Sequence, residues 1–252
     1  MLTITRLAVR EGLRRRLLYL FAVISASMIL LLLSPGNIRF DDRNITEPQI
    51  IARIGLWMTL VFTCILAVFI SQNAIGSEVD RGSVHLLLVR PVSRARFWLE
   101  RWMGVTVLAS VNAVLMLGAL MISLGLRFGM DAIKLIIPGL LLFPLPVACL
   151  TGMVTAINTR LPAALAGFAG IGVALVGFFR GQFEIIAEAE SGVRAWLMQA
   201  LVWISPPLNQ TVGQITQFNN GDSLDFWLLH ECMLYLYVTL ALGLLLFNRR
   251  EV

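Results

Sequence analysis

Six apolar runs dominate the sequence, and each is about as long as the hydrocarbon core of a bilayer is thick. A helix needs roughly 20 apolar residues to cross that core, and it must satisfy its own backbone hydrogen bonds because no water is present. With 58% hydrophobic and 14% charged residues, the chain has too little polar surface for a water-soluble fold. We therefore expect an all-α integral membrane protein with six transmembrane helices, at about residues 17–33, 54–75, 102–126, 133–157, 161–179 and 226–247.

The distribution of basic residues predicts the orientation of these spans. An even number of spans places both termini on one side, and thirteen of the 20 Lys and Arg residues fall on that side. Basic residues are retained in cytoplasmic loops, so both termini are expected in the cytoplasm. This topological bias accounts for the formal charge of +5, and no nucleic-acid partner is expected.

Two segments outside the spans are expected to lie at the membrane surface. Residues 1–16 carry Arg6, Arg10 and Arg14 at four-residue spacing, which favours an interfacial elbow helix, although a plain basic tail is an alternative. Residues 180–225 are too polar to form a span but contain a short apolar helix with Trp196 and Trp203. Tryptophan favours the membrane–water interface, so we expect a re-entrant outer segment between spans five and six.

Polar residues and prolines inside the spans are candidates for a transport pathway. The fourth span contains Pro138, Pro144 and Pro146, which predict a kink or a break because proline removes helical hydrogen bonds. Asn112 is a polar residue within the third span. We take Asn112, Pro144 and Pro146 as candidate pathway residues, with a packing role as the alternative.

No motif for catalysis or metal binding is present. The chain has two histidines and lacks the HExxH and GxSxG patterns, and its three cysteines, Cys64, Cys149 and Cys232, lie inside apolar runs. His230 and Glu231 stand at the outer end of span six, where they are expected to reach water. Lys134 is the only lysine and follows no glycine-rich loop, so the chain cannot form a phosphate-binding loop. Any ATP hydrolysis would therefore take place on another polypeptide.

The polar segment between the second and third spans, residues 78–101, is the one long interruption on the cytoplasmic side. Its first half has acidic residues and then an apolar ridge of valines and leucines that ends at Pro91. Ser93 can cap the helix that leads into the third span. A short apolar ridge with a charged rim favours docking of a soluble partner, and an amphipathic hairpin resting on lipid is the alternative.

This segment resembles the signature of the ABC-2 type transporter permeases. The matching residues run from Glu78 through Gly82-Ser83-Val84, Leu87-Leu88, Pro91-Val92-Ser93-Arg94 and Phe97 to Arg101 and Gly104. The remainder of the chain agrees with that family in plan, from the basic N-terminal elbow to the re-entrant segment. The resemblance implies a single permease domain over residues 1–252, with a cytoplasmic coupling region at 76–101.

The resemblance also implies partner proteins and the residues that would couple the chain to an ATPase. Two permease copies, identical or different, would pair in the inner membrane of a prokaryote, and a cytoplasmic ABC ATPase would bind ATP and Mg²⁺. The permease itself is then neither an enzyme nor a cofactor-binding protein. The expected ATPase-coupling residues are Glu78, Asp80, Arg81, Gly82, Ser83, Val84, Leu87, Leu88, Pro91 and Arg94.

Other functions remain open at this point. An assembly factor that uses ATPase strokes without transport would have the same coupling region. A secondary transporter is disfavoured, because no chain of buried carboxylates and no internal duplication is evident. The substrate is not encoded in any recognisable motif.

Overall fold

The structure, a computed structural model, describes most of the chain. The described residues are Thr5, Val23, Ser27, 39–40, 43–44, 47–75, 93–219, Gly221, Ser223 and 226–249. The predicted elbow helix, the predicted first span and residues 76–92 of the coupling region therefore lie outside the described residues, apart from Thr5, Val23 and Ser27.

The regular secondary structure of the described residues is helical except for one small hairpin, in which β1 (Arg39–Phe40) pairs antiparallel with β2 (Arg43–Asn44). This hairpin is a minor departure from the predicted all-α fold. The helices, in chain order, are α1 (Pro48–Ser71), α2 (Arg94–Phe128), α3 (Met130–Ile133), α4 (Ile137–Leu142), α5 (Pro144–Asn158), α6 (Ala163–Phe178), α7 (Arg180–Ala189), α8 (Val193–Ile204), α9 (Leu208–Asn219) and α10 (Phe226–Asn248).

Four helical stretches of the described residues are long and apolar enough to cross a membrane. They are α1, α2, the stretch Met130–Asn158 and α10, which match the predicted second, third, fourth and sixth spans. The predicted fifth span is α6, which has 16 residues and reaches the required length only together with α7, across a bend of 64°. The total of six spans remains a prediction, because the first lies outside the described residues.

The fourth span is broken where its prolines lie, as predicted. Pro144 is the first residue of α5, where its missing N–H removes no hydrogen bond within that helix. The same missing N–H cannot bond to the carbonyl of Leu140, so the helical hydrogen bonds of α4 do not continue into α5. Helix α4 ends at Leu142, and Phe143 alone separates it from α5. A further interruption at residues 134–136 separates α3 from α4.

Small residues in α6 allow it to pack closely against the neighbouring helices. A Cβ atom added to Gly170 would lie 2.8 Å from the side chain of Val154 in α5 and 3.0 Å from Val68 in α1. These contacts lie within one chain, so α6 is held against α1 and α5 without an oligomeric partner.

The core lies between α1, α2, α4, α5 and α9. Its members are buried aliphatic and aromatic side chains such as Leu60, Leu117, Phe143, Val147 and Ile215. Large apolar side chains also point outward, including Leu141 at 81% exposure and Phe168 at 74%. An outward apolar surface of this kind is stable only in contact with lipid or another apolar partner.

The two ends of the bundle differ in what they carry. One end holds Ile75 and Ser93, which flank residues 76–92, and we call it the proximal end. The opposite end carries α7, α8 and α9, and we call it the distal end. The short apolar helix predicted with Trp196 and Trp203 is α8, and it ends at Ile204, before Pro206. Helices α7 and α9 were not predicted from the sequence.

Candidate functional site: the anchors of residues 76–92

Most of the predicted coupling residues lie outside the described residues. These are Glu78, Asp80, Arg81, Gly82, Ser83, Val84, Leu87, Leu88 and Pro91. Arg94 is described, and it is the first, half-buried residue of α2. What the structure does describe is how the chain is held immediately before and after this segment.

The first anchor holds the chain at Ile75, just before the segment. The side chain of Ile75 is fully buried, and its backbone N–H donates a hydrogen bond of 3.1 Å to Oδ1 of Asn158. Asn158 is the last residue of α5 and is itself buried. A buried backbone N–H needs such a partner, so this bond ties the end of the second span to the end of the fourth.

The second anchor holds the chain where α2 begins. The hydroxyl oxygen of Ser93 accepts a hydrogen bond of 3.3 Å from the N–H of Arg96, which is the N-cap predicted from the sequence. One turn later Phe97 stacks on Phe247 of α10, with ring centroids 5.9 Å apart. The segment therefore leaves the bundle next to the fourth span and returns next to the sixth.

The second anchor also contains a close contact between the indole ring of Trp98 and the backbone of α10 at Gly243. Trp98 is completely buried, and a Cβ atom added to Gly243 would overlap its indole ring. Only glycine at this position allows the indole to lie directly on the backbone of α10. The contact joins residues 145 positions apart in the sequence, and nothing in the apolar run around Gly243 indicates it.

Charged side chains are also buried at the proximal end. Nε of Arg96 lies 2.8 Å from Oε1 of Glu100, whose side chain is 8% exposed. The backbone carbonyl of Glu100 accepts a hydrogen bond of 3.1 Å from the hydroxyl of Thr5. The buried guanidinium of Arg101 lies over the ring of Phe97, with 5.9 Å between its central carbon and the ring centroid. The sequence analysis did not single out Glu100, although its four-residue spacing from Arg96 is typical of a helical ion pair.

The candidate pathway residues do not come together in one described cavity. Asn112 is buried in the core, where its Nδ2 lies 3.6 Å from the sulfur of Met116. Pro144 and Pro146 lie in the first turn of α5, half-buried and buried respectively. A polar contact that the sequence analysis missed joins the same two spans: the hydroxyl oxygens of Thr106 and Thr151 are 2.7 Å apart. The pathway role of Asn112, Pro144 and Pro146 remains a prediction.

A second polar cluster lies at the distal end, around Arg180. Its guanidinium forms ion pairs with Glu231 of α10 and, at 3.0 Å, with Glu184 of α7. It also donates a hydrogen bond of 3.4 Å to the carbonyl oxygen of Ser205. Glu231 is 23% exposed and so reaches water in part, as expected, but its carboxylate also pairs with a buried arginine, which was not predicted.

Within the described residues, no group of three His, Cys, Asp or Glu side chains is arranged to hold a metal ion. The three cysteines are free and buried. The thiol of Cys149 in α5 donates to the backbone carbonyl of Cys232 in α10 at 3.3 Å, which adds one more contact between the fourth and sixth spans.

The apolar helices with lipid-facing side chains define a multi-pass membrane protein. Comparison with known families then shows that the chain belongs to the ABC-2 family of transporter proteins, whose family model matches residues 10–252. Members of this family are membrane subunits that normally work with an ATPase partner and are not themselves catalytic. A search of curated proteins gives no significant match.

Proposed function

We propose that this chain is the permease subunit of an ATP-driven exporter. In this proposal a separate cytoplasmic ABC ATPase binds ATP and Mg²⁺ and docks on residues 78–91. Two permease copies, identical or different, pair in the inner membrane of a prokaryote, with the proximal end and both termini in the cytoplasm. Family membership over residues 10–252 supports the permease role.

The observation that carries the coupling mechanism is the attachment of residues 76–92 at both ends. Before the segment, the Ile75 N–H is bonded to Asn158 at the end of the fourth span. After it, Phe97 and Trp98 pack on Phe247 and Gly243 of the sixth span. A displacement of the segment by a closing ATPase pair would therefore move the proximal ends of these spans together rather than bend a loose loop.

The absence of a phosphate-binding loop agrees with this division of labour, because Lys134 is the only lysine and follows no glycine-rich loop. In the structure Lys134 directly follows α3, and its ammonium group pairs with Asp131 of that helix at 2.7 Å.

The first experiment is co-purification followed by reconstitution. The tagged full-length chain is purified from membranes, the associated ATPase is identified, and both are placed in vesicles with ATP. We expect Leu87→Asp and Leu88→Asp to reduce ATPase association by at least about tenfold, because each places a charge on the apolar docking ridge. Arg194→Ala is the matched control, since Arg194 lies on α8 at the distal end with its side chain 80% exposed.

The proposal is overturned if no ATPase accompanies the chain, or if the ridge variants bind the ATPase as well as Arg194→Ala does. ATPase binding without ATP-dependent movement of any solute would instead favour an assembly factor that uses ATPase strokes mechanically.

A further inference from the structure

The bend between α6 and α7 contains an arginine that the coupling mechanism does not use. Arg180 is the first residue of α7, immediately after the 64° bend, and its side chain is only 7% exposed. Burying a guanidinium is costly unless its charge and its N–H groups are satisfied. The groups that satisfy it therefore indicate what this position holds together.

The partners of Arg180 come from three different parts of the distal end. Glu184 lies one turn along α7, Glu231 lies on α10, and the carbonyl of Ser205 lies at the end of α8. Removing this one side chain would remove the ion pairs and the hydrogen bond that meet at this point.

Neighbouring contacts reinforce the same junction. The hydroxyl of Tyr235 in α10 donates a hydrogen bond of 2.7 Å to the carbonyl of Ile204, next to Ser205. Glu184 is also approached by the side-chain amide of Gln210 in α9, at 3.5 Å. The cluster thus fixes the turn between α8 and α9 on the end of α10.

This turn covers the end of the core. A Cβ atom on Gly177 would lie 2.8 Å from the carbonyl oxygen of Pro206, so the turn lies directly on the end of α6. Leu208, Val212 and Ile215 follow the turn along α9 and are buried in the main core. We call residues 205–219 the distal cap, because they close the bundle at the end opposite to residues 76–92.

We propose that Arg180 is the positioning residue that latches the distal cap onto α10, and that opening of the distal end requires its contacts with Glu231 and Ser205 to separate. The chemistry suits a latch. Arg180 is shielded from water and Glu231 only partly so, at 23% exposure. Both ions regain hydration once they part, so the two arrangements are separated by a limited free energy. The cap itself needs no ATPase, and only its role in export rests on the proposed function.

A cysteine placed under the cap tests the latch directly. Leu208→Cys is introduced into a chain carrying Cys64→Ala, Cys149→Ser and Cys232→Ala, and the purified protein is labelled with a hydrophilic maleimide without nucleotide. Leu208 is fully buried, so labelling of this parent chain should be slow. We expect Arg180→Gln to raise the labelling rate by about tenfold or more, because the cap loses its charged attachment.

Three further variants separate the latch from general destabilisation. Glu231→Gln should raise labelling less, because Arg180 keeps Glu184. The exchange Arg180→Glu with Glu231→Arg should not restore the parent rate, because a carboxylate at position 180 cannot donate to the carbonyl of Ser205. Arg194→Gln is the control and should change nothing, because its 3.7 Å ion pair with Glu190 lies on exposed surface. Size-exclusion profiles show which variants fold.

The proposal is overturned if folded Arg180→Gln and Glu231→Gln label no faster than Arg194→Gln. If Arg180→Gln does not fold, Glu231→Gln and the exchange decide in the same way. Unchanged labelling in both overturns the latch.

Labelling with the ATPase, ATP and vanadate then separates this proposal from the proposed function. Faster labelling of the parent chain under these conditions supports opening of the latch during transport. If Arg180→Gln opens the cap but ATP drives no transport of any solute in the reconstituted vesicles, the latch stands and ATP-driven export fails. If nucleotide drives transport while the cap stays closed in the parent chain, the permease role stands and the opening step of the latch is overturned.

Discussion

Both ends of this bundle combine apolar packing with buried charge, but they differ in the contact that each makes with α10. At the proximal end, Trp98 lies on the backbone of Gly243 and Phe97 stacks on Phe247. At the distal end, Arg180 pairs with carboxylates of α7 and α10 and donates to the carbonyl of Ser205. Close apolar packing has one favourable arrangement and transmits displacement, whereas ionic contacts can be exchanged for water. The difference assigns a stiff role to the proximal end and a separable one to the distal end.

The largest effect on stability should follow the loss of one charge at the distal end. Arg180→Met leaves Glu231 without its buried partner and should lower the free energy of unfolding by about 3–5 kcal/mol. The double variant Arg180→Met with Glu231→Met should recover most of this loss, because no charge remains without its partner. Thermal unfolding in a fixed detergent measures both, and a double variant as unstable as the single one would contradict the ionic description.

The proximal end should respond to added volume rather than to charge. Gly243→Ala places a methyl group in the indole of Trp98 and should destabilise the protein by about 1–3 kcal/mol. Trp98→Leu in the same chain should relieve part of this cost. Gly118→Ala is the matched control, because a Cβ atom there meets nothing within 4 Å, and it should be neutral or slightly stabilising. If Gly243→Ala and Gly118→Ala lower the free energy of unfolding equally, the close contact between Trp98 and Gly243 is refuted.

The single hydrogen bond of the first anchor should matter for both stability and coupling. Asn158→Ala leaves the buried N–H of Ile75 without its acceptor, at a cost of about 1–3 kcal/mol. In the reconstituted system it should reduce transport per ATP hydrolysed while ATPase binding persists. Asn73→Ala, at a half-exposed position near the same end, should change stability by less than about 0.5 kcal/mol.

The smallest expected effect lies between the two ends. Thr106→Val removes one hydroxyl of the pair with Thr151 and should cost about 0.5–1.5 kcal/mol. A double-mutant cycle with Thr151→Val measures the coupling energy of the pair. A coupling energy near zero would indicate that the hydrogen bond between the two hydroxyls does not contribute to stability.

The positions of the long helices were predictable because the signal for a membrane span is local. Apolar runs matched α1, α2 and α10 within several residues, the prolines marked the break before α5, and Ser93 capped α2. Each of these features depends on residues within one or two turns of one another. The membrane also simplifies the problem, because it allows few backbone conformations besides the helix.

The functional contacts were not predictable in the same way. Arg180 and Glu231 are 51 residues apart, and each taken alone resembles an ordinary charge at the end of a span. Gly243 is one of several glycines in apolar runs, and only the approach of Trp98 distinguishes it. The coupling ridge, by contrast, was assigned through a resemblance over residues 78–104, and its docking role remains to be tested.

The sequence by itself determined that this chain is a multi-pass helical membrane protein without a phosphate-binding loop, and its motif pointed to the ABC-2 family. Hydrophobic run length, proline positions and the lone lysine are sufficient for these conclusions, since each is read along the chain. Only the tertiary structure decided that the fourth and sixth spans hold the two ends of residues 76–92, and which segment lies over the opposite end. These depend on which helices meet, and helix contact is set by shape and charge between residues that are distant in the sequence.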